Sequence, residues 1–65
     1  MKLIIEIEMD NAAFGEAGLE QDARFETGRI LQRYIHRVRD GGEFTQAKLR
    51  DSNGNVVGSA RVVRG

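Results

Sequence analysis

Few residues of this 65-residue chain carry side chains that could form a catalytic or metal-binding site. The chain has no cysteine and a single histidine, His36, which lies among arginines. We expect His36 to be solvated or to cap the end of a helix, rather than to bind zinc or serve a Ser-His-Asp triad. The sequence therefore predicts no catalytic residue, no metal site and no cofactor.

A pair of carboxylates is the remaining candidate for acid–base chemistry. Glu6 and Glu8 are two residues apart, so they project from one face of a strand at a spacing that suits a general acid and base. No aromatic or polar pocket residues surround them in the sequence, which favours the alternative of a solvated strand face. The chain is too short to wall a ligand pocket of about 300 Å³, so we predict that the protein is not an enzyme. The alternative is an enzyme assembled across a homo-oligomer, which could bring these acids together with Tyr34 and His36.

The arginines form a second candidate site. The formal net charge is zero, but residues 1–22 are acidic and residues 23–39 are basic. In the basic segment, Arg29, Arg33 and Arg37 recur every four residues and so share one side of a helix. Such a row could bind phosphate groups. The alternative is a solvated helix face that nearby acids neutralise.

Apolar periodicity predicts the elements that must position these side chains. Leu3, Ile5 and Ile7 alternate with more polar residues, as in a half-buried strand, whereas the period later in the chain is helical. We predict a single domain of residues 1–65, with a strand at about 2–9, a loop at 10–18, a helix at about 19–39 and a hairpin at about 44–63.

The predicted helix carries its apolar residues in a stripe about 100° wide. The stripe consists of Ala23, Thr27, Ile30, Leu31, Tyr34 and Val38. We expect truncation of Leu31 to be the most damaging change in the helix, because a leucine buried against the sheet would leave a large cavity. Phe25 falls opposite the stripe, so either the first turn is irregular or Phe25 serves an interface.

The hairpin prediction depends on Asn53-Gly54, since this dipeptide favours a type I′ turn with positive φ at both residues. Such a turn pairs Leu49 with Gly58 and Arg50 with Val57. The element order β-α-β-β then favours a three-stranded antiparallel sheet of order 1-3-2 with one helix packed on one face. This is an α+β fold and half of a ferredoxin-like fold.

One helix covers only one face of such a sheet. The opposite face is predicted to mix apolar residues with cations: Ile4, Phe44, Lys48, Arg50, Val57, Arg61 and Val63. This face is more apolar than contact with water requires, so it predicts a protein partner or a second copy of the chain. An ordinary solvated sheet face is the alternative. The first strand is an edge in this order, which also favours a symmetric homodimer.

Three segments resemble small uncharacterised accessory proteins encoded on bacteriophages, prophages and plasmids. They are Asp10-Asn11-Ala12-Ala13-Phe14, Gly28-Arg29-Ile30-Leu31 and the run from Leu49 to Gly58. These segments are structural and include no catalytic or ligand signature, so the resemblance implies a genetic context. Small proteins of that context often bind a host or phage macromolecule, including defence nucleases that they inhibit.

The leading hypothesis is therefore a non-enzymatic protein-binding module that acts by occupying a partner macromolecule. The alternative is nucleic-acid binding through the arginine row of the helix or through the basic sheet face, although a net charge of zero weakens it. The longest apolar run, residues 3–5, is far shorter than the roughly 20 residues of a membrane span, and no signal peptide is evident. We expect a cytoplasmic protein that does not bind membranes.

Overall fold

The computed structural model describes residues 1–15, 20–42 and 44–65. Its elements are β1 (Lys2–Ile7), a short 3₁₀ helix (Ala12–Phe14), α1 (Glu20–Arg39), β2 (Gln46–Arg50) and β3 (Val56–Val63). The three strands form an antiparallel sheet of order β1-β3-β2. The predicted α+β fold, its β-α-β-β order and the 1-3-2 strand order are confirmed.

The element boundaries differ from the prediction in detail. β1 ends at Ile7 rather than at residue 9, although the Glu8 N–H still donates to Val57 O at 2.8 Å. The predicted loop contains the 3₁₀ helix, which Asn11 caps by accepting the Ala13 N–H at 2.9 Å. The rest of that loop and the predicted helix start at residue 19 fall on residues 16–19, outside the described part of the chain.

The hairpin turn is not the predicted type I′ turn. Gly54 has φ +85°, but no described residue other than glycine has positive φ, so Asn53 does not adopt the required conformation. Instead the Gly54 N–H donates to Asp51 O at 3.0 Å and the Asp51 N–H donates to Asn55 O at 2.9 Å. The loop is therefore one residue longer than predicted and closes through a left-handed glycine.

A β-bulge in β3 compensates for this longer loop. Arg50 pairs with Val56, whereas Leu49 pairs with Gly58, so Val57 is the extra residue. The predicted register is therefore correct from Leu49 back to Gln46, but the predicted pairing of Arg50 with Val57 is wrong. Val57 is only 7% exposed and belongs to the core, so it does not lie on the open sheet face as predicted.

The apolar core lies between α1, the 3₁₀ helix and the sheet. Its buried members are Phe14, Ile30, Tyr34, Ala47, Leu49, Val57 and Ala60. Leu31 is only half-buried, so the helix contributes Ile30 and Tyr34 to the core instead. The Tyr34 hydroxyl donates to Phe44 O at 3.4 Å, which satisfies its one polar group.

α1 packs on the β2 side of the sheet. The Nη1 and Nη2 atoms of Arg37 both donate to Lys48 O in β2, each at 3.3 Å. The opposite side of the same sheet face, at β1, is only partly covered: Leu3 is 44% and Ile5 39% exposed. The helix therefore leaves aliphatic residues of β1 in contact with solvent.

Candidate functional site

The predicted arginine row does not form a continuous binding surface. Nε and Nη2 of Arg29 donate to the two carboxylate oxygens of Glu26, each at 3.1 Å. Glu26 is buried and also accepts the Ser52 N–H at 2.7 Å. The Arg29 hydrogen bond lowers the pKa of Glu26, burial opposes the shift, and the Ser52 N–H adds to it. Arg29 therefore contributes to holding α1 against the hairpin turn.

The other two arginines of the row face a shallow groove between α1 and β2. The groove has a volume of about 150 Å³. Among the described residues it is lined by Ile30, Arg33, Arg37 and Arg50, none of which is acidic. Arg50, which the sequence assigned to the sheet face, also lines this groove, because α1 lies beside β2. Apolar periodicity alone does not give that lateral position.

Asp51 organises the hairpin turn. Its Oδ1 accepts the N–H groups of Asn53 and Asn55, each at 2.9 Å, and its Oδ2 accepts Asn11 Nδ2 at 2.7 Å. Asp51 is only 2% exposed. Burial raises the pKa of Asp51, but hydrogen bonds from Asn55, Asn11 and Asn53 outweigh this effect and hold it below its ordinary value. The carboxylate therefore has a structural role, which the sequence indicated only as a turn position.

The outer face is the sheet surface opposite α1. Arg61 and Glu6 form an ion pair at 2.8 Å between Nη1 and Oε1. The other predicted residues are distributed around this pair: Ile4 and Val63 are half-buried, and Phe44, Lys48 and Arg50 are exposed. Val57 is absent from this face because of the bulge, and the exposed Val56 pairs with Arg50 there. The outer face is thus mixed in character, and its apolar residues do not form one buried patch.

The free edge of β1 has a more distinctive arrangement. In the described sheet β1 has one neighbour, β3, and the Glu8 N–H points towards it. Backbone groups alternate along an antiparallel strand, so the N–H and C=O groups of Leu3, Ile5 and Ile7 point away from β3. The side chains of these three residues share the face of Ala60, which lies in the core. We call these backbone groups and side chains of Leu3, Ile5 and Ile7 the β1 edge.

The candidate acid–base residues lie in two places: Glu6 and Glu8 line one open depression beside β3, whereas Tyr34 and His36 belong to α1. Tyr34 is buried, whereas His36, two residues further along α1, is exposed. Glu6 pairs with Arg61 on the outer face. In the part of the chain that the structure describes, no group of three or more histidines and acids could hold a metal ion.

Comparisons of the chain with protein-family models, with curated proteins and with solved structures gave no significant match. Among the described elements, no helix has both the length and the hydropathy needed to cross a membrane.

Proposed function

We propose that the protein is a non-enzymatic protein-binding module that adds a strand of a partner protein to its β1 edge. The observation that carries the proposal is the exposure of Leu3 and Ile5 at a strand edge whose outward backbone groups lack a neighbouring strand in the described sheet. Exposed edges of natural sheets are usually protected by bulges, prolines or inward-pointing charges. In β1 the charges Lys2 and Glu6 lie on the outer face, and the inward-pointing residues are aliphatic.

The geometry of β1 defines the chemistry of the partner. An added strand would receive main-chain hydrogen bonds from Leu3 and Ile5, and its alternate side chains would pack on the aliphatic groups of the same residues. On the outer face it would meet Lys2 and Glu6 on either side of Ile4. The fitting partner is an extended segment with alternating aliphatic residues and one charge of each sign.

The resemblance to small proteins of phages, prophages and plasmids supports a biological setting for this activity. A module of this size can act by occupying the surface of a larger protein, and inhibition of a host defence system is one such action. The setting is cytoplasmic in this proposal.

The test is to compare proteins that the wild type and two variants capture from a bacterial lysate. Leu3→Lys introduces an inward-pointing charge at the β1 edge, and a half-exposed position tolerates it. Phe25→Lys is the matched control, because Phe25 is 77% exposed on α1. We expect one protein to be captured by the wild type and by Phe25→Lys but not by Leu3→Lys.

Hydrogen exchange then locates the contact. Addition of the captured protein should slow exchange of the Leu3 and Ile5 amides. Capture that is insensitive to Leu3→Lys, or that leaves these amides in fast exchange, would contradict the proposal. A thermal midpoint of Leu3→Lys close to that of the wild type excludes loss of the fold as the cause.

A second candidate function, nucleic-acid binding, is favoured by the groove between α1 and β2. Three guanidinium groups, those of Arg33, Arg37 and Arg50, line it without an acid among the described lining residues. Three phosphate contacts predict that the logarithm of the affinity falls with the logarithm of the salt concentration with a slope of about −2 to −3. Arg33→Ala together with Arg50→Ala should reduce this slope by about 2. An affinity that does not change with salt would exclude this function.

A further inference from the structure

We propose that the strand added at the β1 edge is β1 of a second copy of this chain, and that the two strands pair antiparallel about a two-fold axis at Ile4. This inference rests on the proposed function, because it names the partner of the same edge.

The backbone limits the registers that are available. Only the groups of odd-numbered residues, Leu3, Ile5 and Ile7, point outward from β1, so an odd residue must lie opposite an odd residue of the second copy. A two-fold axis then lies midway between one residue and the same residue of the second copy, so that this residue faces itself. Within the centre of the strand, this residue is Ile4, Ile5 or Glu6.

The side chains distinguish between these three registers. An axis at Glu6 places Glu6 opposite its own symmetry mate, and like charges in that position are destabilising. An axis at Ile5 places the charged Glu6 opposite the aliphatic Ile4. An axis at Ile4 places Lys2 opposite Glu6 of the second copy and Ile4 opposite itself.

The register centred on Ile4 is also complementary on the inner face. There Leu3 lies opposite Ile5 of the second copy, so aliphatic residues meet in two symmetric pairs. Every position from Lys2 to Glu6 is thus matched, either apolar with apolar or cation with anion. The two copies satisfy each other's outward N–H and C=O groups at Leu3 and Ile5.

Pairing in this way covers the exposed β1 edge of the isolated chain. Two three-stranded sheets of order β1-β3-β2 would join into one six-stranded sheet with the two β1 strands at its centre. The exposed parts of Leu3 and Ile5 would then be shared between the copies. A domain of 65 residues alone buries a smaller fraction of its surface than a larger domain does, so it gains more from association.

Cysteine cross-linking tests both the dimer and its register, because the natural chain has no cysteine. In the register centred on Ile4, this residue faces itself in a non-hydrogen-bonded pair with a Cα separation of about 4.5 Å, within the range of a disulfide. We expect Ile4→Cys to oxidise almost completely to a covalent dimer at micromolar concentration.

Two further combinations act as matched controls on the same face of β1. Glu6→Cys alone should stay uncross-linked, because its symmetry mate lies four residues away, or about 13 Å along the strand. A mixture of Lys2→Cys with Glu6→Cys should give the mixed disulfide, since these residues lie opposite each other. Cross-linking of Ile5→Cys but not of Ile4→Cys would overturn the register.

The wild-type chain provides a test that does not depend on a variant folding. In the isolated chain the Leu3 and Ile5 amides point to solvent, so they should exchange rapidly at low concentration. At concentrations where sedimentation equilibrium gives the mass of a dimer, their exchange should slow at least tenfold, while exchange of the helix amides changes little. A dimer whose formation leaves these amides unprotected would overturn the inference.

The outcomes separate this inference from the proposed function. A monomeric mass at all concentrations, together with capture of another protein that depends on Leu3, would overturn the second copy as partner and leave strand addition at β1 supported. A monomeric mass with no such capture would contradict both. A dimer that Leu3→Lys converts to monomer, and that Phe25→Lys leaves intact, supports both.

Discussion

The backbone N–H of Ser52, in the hairpin turn, donates to the Oε2 atom of Glu26 in α1 at 2.7 Å. This contact joins residues that are far apart in the sequence and lies outside the apolar core. Glu26 is buried, and Arg29 holds both of its oxygens. The carboxylate therefore connects the helix to the hairpin, and its protonation should lower the stability of the whole fold.

The first prediction follows from the lowered pKa of Glu26. A carboxylate whose pKa is lower in the folded than in the unfolded state stabilises the fold above the unfolded pKa, here near the ordinary value of 4.5. That stabilisation is lost as the pH falls through the folded pKa. We expect the thermal midpoint of the wild type to fall as the pH is lowered below about 4.5. In Glu26→Gln the midpoint should fall less steeply over the same pH range. Parallel pH profiles for the two proteins would show that Glu26 is not linked to folding.

The second prediction concerns Asp51. Asp51→Asn keeps the side-chain shape but replaces one carboxylate oxygen by an NH₂ group. That group cannot accept a hydrogen bond, so the bonds from Asn11 or those from the turn N–H groups are lost. We expect a lower thermal midpoint at pH 7. Asp40→Asn is the control, because Asp40 is exposed just after α1. Equal midpoints for the two variants would show that the turn does not depend on the charged form of Asp51.

The third prediction tests the rotation of α1 about its axis. Ile30 is 2% exposed, so Ile30→Ala should destabilise the fold by about 2–5 kcal/mol. Leu31 is half-buried, so Leu31→Ala should cost less, and Gln32→Ala, at an exposed position, should be nearly silent. Urea unfolding of the three variants gives the order directly. A larger effect at Leu31 than at Ile30 would mean that the helix is rotated relative to the structure.

The helical wheel does not distinguish Leu31 from Ile30. At about 100° per residue, the two lie on opposite sides of the centre of the apolar stripe, each roughly 50° from it, although Ile30 is buried and Leu31 is only half-buried. Periodicity identified the stripe correctly, since it depends on the average over the helix. It does not rank the residues within the stripe, because burial also depends on where the helix lies over the sheet.

The lateral position of α1 was not predictable from local pattern. It is reflected in the contact of Arg37 in α1 with Lys48 O in β2. Consequently the edge character of β1 was predicted from the strand order, but the exposure of Leu3 and Ile5 on its inner side was not. The outer face was predicted apart from Val57, which the bulge removes.

The turn and the bulge show a different limit of prediction from the sequence. The Asn53-Gly54 dipeptide favours a type I′ turn locally, but Asp51 accepts backbone N–H groups from Asn53 and Asn55 and stabilises a longer loop. The extra residue at Val57 then restores the predicted register at Leu49. Two local errors cancelled, so the overall fold was correct although its turn was not.

The last prediction compares two glycines that should respond in opposite directions to alanine. A Cβ at Gly58 would collide with the carbonyl oxygen of Glu6, because the bulged strand β3 brings its backbone close to β1. Gly58→Ala should therefore force the strands apart and destabilise the fold by about 1–3 kcal/mol.

Gly28 lies on the exposed side of α1, and a Cβ there would meet no atom within 4 Å. Gly28→Ala should stabilise the fold by up to about 1 kcal/mol, because alanine is the better helix former and restricts the unfolded chain. Urea unfolding of both variants against the wild type measures the two effects. Because β3 is the central strand and β1 the proposed binding edge, Gly58→Ala should also weaken dimerisation, whereas Gly28→Ala should leave it unchanged. A Gly58→Ala protein with wild-type stability would contradict the close approach of β3 to β1.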